Sequence, residues 1–244
     1  MKQIMVFLVL FFWAGTAVAS GSFVKYTIDG EPFEGYYISP DAAAPLVIMV
    51  HDWDGLTDYE VKRAGMLAEQ GFAVFAVDLF GEGVRPAAVE ERRKLTGMLY
   101  KDRERMRALL QGGLKQAAAS GGNLDNAVAM GYCFGGAVVL ELARSGADLR
   151  GFVSFHGGLE TPEGQDYSAA KGTILVLHGS ADTAVTLDHF ATLAKELEEQ
   201  KRDHEMITYS GAPHAFTVFD TPRYREDADR KSWQRFIGFL QETL

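Results

Sequence analysis

Two periodicities alternate along the chain. Val24, Tyr26 and Ile28 are interleaved with Lys25, Thr27 and Asp29, the period of two that marks a strand with one face in water. Residues 33–39 continue across Asp29-Gly30-Glu31-Pro32 as an antiparallel partner, so an edge hairpin is predicted. Residues 46–50 are apolar without interruption, as a strand covered on both faces should be, and run into His51-Asp52-Trp53-Asp54-Gly55. A helix over 57–70 closed by Gly71, a strand over 72–77 and a loop over 78–86 follow. The helical region after that loop carries a charged run, 101–107, read as a solvated face. Strands are predicted at 127–130, 152–155, 174–177 and 206–209, with a helix over 137–143. Leu187, Phe190, Leu193, Ala194 and Leu197 share one helical face, as do Trp233, Phe236, Ile237 and Leu240 in the closing helix. Strands alternating with helices imply an α/β fold: a mainly parallel central sheet with an N-terminal antiparallel hairpin, helices on both faces, and a site above the carboxyl ends of the strands.

The first residues do not belong to that pattern. Lys2 precedes an unbroken apolar stretch at 4–13, and Ala17-Val18-Ala19 forms a small-x-small cleavage site before Ser20. The stretch falls short of the roughly 20 residues a spanning helix needs. Residues 1–19 are therefore read as a secretory signal peptide and 20–244 as a single domain, exported to the periplasm without stable membrane association. Loss of the leader removes Lys2 and no acid, so the net charge moves from −9 to −10. That balance excludes a nucleic-acid grip and leaves small molecules as the expected partners. The chain has 1 cysteine, which can form no internal disulfide, so an exported product carries an unpaired thiol.

That cysteine sits in Gly131-Tyr132-Cys133-Phe134-Gly135-Gly136, where an apolar strand breaks into a helix. Taken alone, a lone cysteine is a small buried hydrophobe. Here G-x-C-x-G is the nucleophile-elbow pattern with sulfur in place of the serine oxygen. Its small flanking residues permit the sharp turn, and the helix N-terminal amides beside the sulfur favour thiolate and oxyanion. Asp182 follows a strand in His178-Gly179-Ser180-Ala181-Asp182, and His214 follows the next strand in Gly211-Ala212-Pro213-His214. The order nucleophile, acid, histidine is that of α/β-hydrolases. Cys133 is thus the candidate nucleophile, His214 the base and Asp182 the residue that orients it. The amides of Phe134 and Trp53 are the candidate oxyanion hole. His51, His156 and His178 end strands near the site and are read as loop-ordering hydrogen-bond partners. With Asp52 they lack ligand spacing, so neither a metal nor another cofactor is expected.

Gly131-Tyr132-Cys133-Phe134-Gly135-Gly136, the aspartate stretch and Pro213-His214-Ala215-Phe216 together resemble the dienelactone hydrolases, over nearly the whole chain from about Val24. The resemblance implies an α/β-hydrolase fold and a Cys133-His214-Asp182 triad. It also implies a carboxylate beside the thiol, a place Asp52 takes with one methylene less than the family's glutamate; Asp54 is the weaker candidate. The arginine that dienelactone-cleaving members carry shortly after the histidine is missing from His214-Ala215-Phe216-Thr217-Val218, and Arg85 is the candidate substitute. The expected activity is hydrolysis of small esters or lactones through an acyl-thioester. The alternatives are a non-catalytic small-molecule-binding protein on the same fold, or a redox-sensing thiol.

Overall fold

A computed structural model describes residues 20–244; the leader read at 1–19 lies outside the described residues. β1 (Ser22–Ile28) and β2 (Glu31–Ile38) form the predicted hairpin, with Tyr26 opposite Phe33. β3 (Leu46–Val50), β4 (Ala73–Val77), β5 (Ala127–Tyr132), β6 (Gly151–Phe155), β7 (Thr173–Gly179) and β8 (His204–Tyr209) complete one eight-stranded sheet. Its order is β1-β2-β4-β3-β5-β6-β7-β8, parallel from β4 to β8, with β2 antiparallel on β4. The helices are α1 (Asp58–Glu69), α2 (Val89–Lys101), α3 (Arg103–Ala119), α4 (Phe134–Arg144), α5 (Leu187–Glu199) and α6 (Glu226–Thr243).

The fully apolar strands are explained by two separate cores, one on each face. Leu46, Ile48 and Val50 of β3 pack with Leu110 of α3, Val138 of α4 and Leu193 of α5. Val47 and Met49 turn the other way, onto Leu67 of α1 and Phe236 of α6. A strand alternates its side chains between faces, so a sheet wrapped on both sides has no position for a polar residue at its centre. The parallel strands then deliver their carboxyl ends to one edge. In register there, Val50 pairs with Gly131, Tyr132 with Phe155 and Gly179 with Tyr209.

Some sequence expectations are corrected. The region after residue 86 is two helices, because Asp102 ends α2 and caps α3 by accepting the Arg105 amide. Its charged run is not merely solvated: Arg103 and Arg107 both reach Glu141, a buried carboxylate of α4 that also pairs with Arg144. Leu187, placed on the buried face of α5, is 47% exposed at the helix start, whereas Phe239 of α6, outside the predicted stripe, is buried. Trp233 and Ile237 are only partly buried against the same core.

Candidate active site

Cys133 stands alone between β5 and α4, with φ 50° and ψ −112°. Such a conformation costs a non-glycine residue about 1–3 kcal/mol and persists only where its surroundings dictate it. Here the Cys133 amide donates to the Phe155 carbonyl at 3.0 Å, and its own carbonyl accepts from the Gly136 amide at 3.1 Å. Sterics do the rest. A Cβ on Gly131 would lie 2.3 Å from the Gly135 carbonyl, and one on Gly135 would lie 2.3 Å from the Val50 oxygen. The elbow therefore closes only with glycine at both places.

The histidine and aspartate are brought to this turn by different means. His214 sits in the loop after β8, where its Nε2 lies 3.1 Å from Cys133 Sγ and its Nδ1 lies 2.7 Å from Asp182 Oδ2. Asp182 is buried, and its Oδ1 accepts the amides of Ala184 and Val185 at 2.8 and 2.9 Å. Those bonds fix the carboxylate without using the oxygen that faces the imidazole. Burial disfavours a charged His214, but the hydrogen bond it donates to Asp182 and then the bond and charge of Cys133 outweigh it, raising His214 to about 10. Burial likewise works against an ionised Asp182, and the His214 bond and the two amides hold it below its ordinary value. The arrangement favours a charged imidazolium next to the sulfur.

The three strand-end histidines order loops. His51 Nε2 accepts the Leu79 amide at 3.2 Å, so its Nδ1 carries the proton and donates to the Asp52 carbonyl at 2.6 Å. His178 Nε2 donates to the Val185 carbonyl at 2.9 Å, and His156 Nε2 lies 2.8 Å from Thr217 Oγ1. Burial pushes all three below the ordinary histidine value, which keeps them neutral.

The amides of Trp53 and Phe134 give no hydrogen bond to protein among the described residues, and Phe134 is the first residue of α4. Both are donors left open at the sheet edge that carries Cys133. Among the described residues Asp52 makes no hydrogen bond to the sulfur: its Oδ1 accepts the Asp54 amide at 3.0 Å, and Cys133 Sγ is bonded to His214. Burial first, and then the neighbouring acids Asp54 and Glu60, push Asp52 well above the usual carboxylate range. Arg85 contacts the Val84 carbonyl and lies 3.9 Å from Asp78, beside a different cavity from the one that meets the histidine loop. That nearer cleft, about 330 Å³, is lined by Asp52, Trp53, Ala215 and Val218 together with two arginines that the sequence did not single out, Arg92 and Arg223. Arg92 lies over the Trp53 ring and 3.5 Å from Asp54, whereas Arg223 has no acidic partner among the described residues. No local motif marks either arginine, because the chain brings them to the cleft from α2 and from the segment before α6.

Comparison with known proteins agrees with this fold. The model of the dienelactone hydrolase family matches residues 33–244. The solved structure m3DLH is similar at 30% identity with a TM-score of 0.86, covering 93% of this chain and 100% of that one. A dienelactone hydrolase-like promiscuous phosphotriesterase from metagenomic libraries is similar at 28% identity and TM-score 0.85, over 93% and 99% of the two chains. A Salmonella typhimurium protein assigned as a carboxymethylenebutenolidase is 26% identical over 87% of this chain and 84% of its own.

Proposed function

The chain belongs to the dienelactone hydrolase family, a family of ester and lactone hydrolases, and from that premise we propose that it cleaves small activated esters or lactones with Cys133 as nucleophile. The observation that carries the reading is one imidazole bridging two partners: His214 bonds Cys133 Sγ at 3.1 Å and Asp182 at 2.7 Å. In the acylation step Sγ adds to the carbonyl carbon while the carbonyl oxygen takes its negative charge toward the Trp53 and Phe134 amides. The C–O bond of the ester breaks, His214 gives its Nε2 proton to the departing alkoxide, and an acyl-thioester remains. Water then adds to the thioester as His214 takes its proton. The C–S bond breaks, the carboxylic acid leaves, and the Cys133–His214 pair is restored.

Sulfur is itself a good leaving group, so the first adduct reverts unless the alcohol departs readily. Aryl and enol esters and strained lactones are therefore the substrate class, and alkyl amides are excluded from it. Arg223, which has no acidic partner among the described residues, favours an anionic substituent on that substrate. One solved relative is named a promiscuous phosphotriesterase, so an aryl phosphotriester, with an equally good leaving group, belongs in the same panel. Export to the periplasm is part of this proposal and rests on the sequence pattern at 1–19; an amino terminus at Ser20 in protein recovered from the periplasm tests it.

The deciding experiment is p-nitrophenyl acetate hydrolysis by the wild type, Cys133→Ala and His214→Ala. Turnover abolished in both variants is the expected result. Turnover that survives either substitution removes the triad.

A further inference from the structure

The segment after His214 closes one turn of its own, in which the Val218 amide donates to the Ala215 carbonyl at 3.1 Å, and takes the rest of its support from elsewhere. Ala215 has φ 62°, a left-handed conformation that a residue with a Cβ adopts at a cost. Thr217 is fully buried, although its backbone and hydroxyl are both polar. What satisfies them comes from far away in the sequence. Arg63, on α1 and likewise fully buried, donates to the Thr217 carbonyl at 2.7 Å and to Asp229 of α6 at 2.5 Å. Its Nε donates to Tyr59 Oη at 3.2 Å, and Tyr59 Oη lies 2.8 Å from Thr217 Oγ1. Thr217 Oγ1 in turn meets His156 Nε2, and the His156 ring packs edge-on to the His214 ring with centroids 5.4 Å apart.

A guanidinium only donates, so Tyr59 Oη accepts from Arg63 and has its own proton free for the Thr217 carbonyl or hydroxyl, 3.4 and 2.8 Å away. Thr217 Oγ1 is thereby held against His156 Nε2, and the neutral ring packed against His214 is fixed in place from α1.

A buried ion pair is weak evidence for stability, because well-packed apolar residues of similar volume often do as well or better. The surroundings here are already suited to such residues: the Arg63 guanidinium lies among the rings of Tyr59, Tyr132, Phe219 and Trp233. What an apolar side chain could not do is grip the Thr217 carbonyl and polarise the two hydroxyls.

We propose that Arg63, clamped by Asp229, is a positioning residue for His214, acting through Thr217, Tyr59 and His156 to keep the imidazole on Cys133. The proposal rests on the reading of His214 as the base. Its test is the double variant Arg63→Met with Asp229→Leu, which removes the charges in pairs. We expect a melting temperature at or above the wild type and kcat on p-nitrophenyl acetate lower by about 10- to 100-fold, with the larger part of the loss in kcat rather than in KM. Iodoacetamide alkylation of Cys133 should slow in parallel. A structural role alone predicts the opposite pairing, in which kcat follows melting temperature. A folded double variant with wild-type kcat overturns the proposal.

Should that variant not fold, Thr217→Val and Thr217→Ser decide the matter. Loss of kcat in the valine variant with recovery in the serine variant supports the relay, and wild-type kcat in the valine variant overturns it. Wild-type turnover in His214→Ala would instead sink the underlying catalytic reading, so the two failures are distinguishable.

Discussion

Cys133 and His214, the proposed nucleophile and base, are held in contrasting ways. Around Cys133 the backbone is forced by exclusion: two glycines stand where any Cβ would collide with main-chain atoms. Around His214 the backbone is held by attraction, through Arg63, Tyr59 and Thr217 on one side and Asp182 on the other. Steric exclusion is all-or-none and short in range, since close-packed interiors yield little. Hydrogen bonding is graded and can be changed one donor at a time. The difference teaches that the elbow should respond to mutation through folding and the histidine loop through rate.

The largest expected effect is on the attractive side. Asp182→Asn keeps the shape of the side chain and should lower kcat by about 10⁴-fold. The same variant has a pH signature. His214 is raised from its unfolded value near 6.5 to about 10, so the stability it contributes is complete below pH 6.5 and disappears as pH rises through 10. Asparagine removes the strongest raising partner, so the imidazolium next to Cys133 should be lost at lower pH, read as an altered pH profile of iodoacetamide alkylation. An unchanged profile would break the assignment of Asp182 as the orienting residue.

Next is Gly135→Ala on the steric side. The added methyl must displace the Val50 oxygen at 2.3 Å, and we expect a melting temperature lower by about 10 °C or more, or no folded protein at all. A well-folded Gly135→Ala with reduced kcat alone would erase the contrast.

Glu60 lies between the two regimes. It forms a capping box with Thr57 at the start of α1, and Thr57 donates to its Oε2 through amide and hydroxyl, both at 2.8 Å. Its Oε1 is buried without a partner among the described residues, and burial, partly offset by Thr57, raises the acid to about 7. A carboxyl raised above its unfolded value favours the folded state most at low pH, and that advantage is lost as pH climbs from about 4.5 through 7. Glu60→Gln keeps an acceptor for Thr57 and cannot ionise. Its melting temperature should therefore fall less between pH 5 and pH 8 than that of the wild type. Equal slopes would show that Oε1 is solvated.

The smallest effect is expected at the cleft. Arg223→Ala should raise KM several-fold for an aryl ester bearing a carboxylate and leave a neutral ester unchanged, an effect of about 1 kcal/mol. Equal KM values for both esters would remove Arg223 from substrate selection.

How much of this could be read in the sequence follows from the same contrast. The hairpin, the strands and the elbow were legible because periodicity and G-x-C-x-G act over a few residues. Asp182 and His214 were legible because each follows a strand at the edge that carries Cys133. Arg63 was not, because it meets Thr217 across 154 positions, and a lone arginine on a helix reads as solvated. The arginines gathered on Glu141 were misread for the same reason: charge in a sequence carries no sign of burial. The family resemblance placed a carboxylate near the thiol, and Asp52 is indeed in that loop, but a side chain one methylene shorter bonds its own turn instead.

The Arg63–Asp229 clasp also orders events in time. Its two halves are 166 positions apart, and α6 must dock on α1 before the loop bearing His214 is secured. Synthesis releases the chain from its amino end, so Cys133 emerges well before the imidazole proposed to activate it, and the imidazole before the helix proposed to lock it. A nascent chain can therefore complete most of its sheet while its sulfur is still chemically quiet, and reactivity arrives with the closing helix.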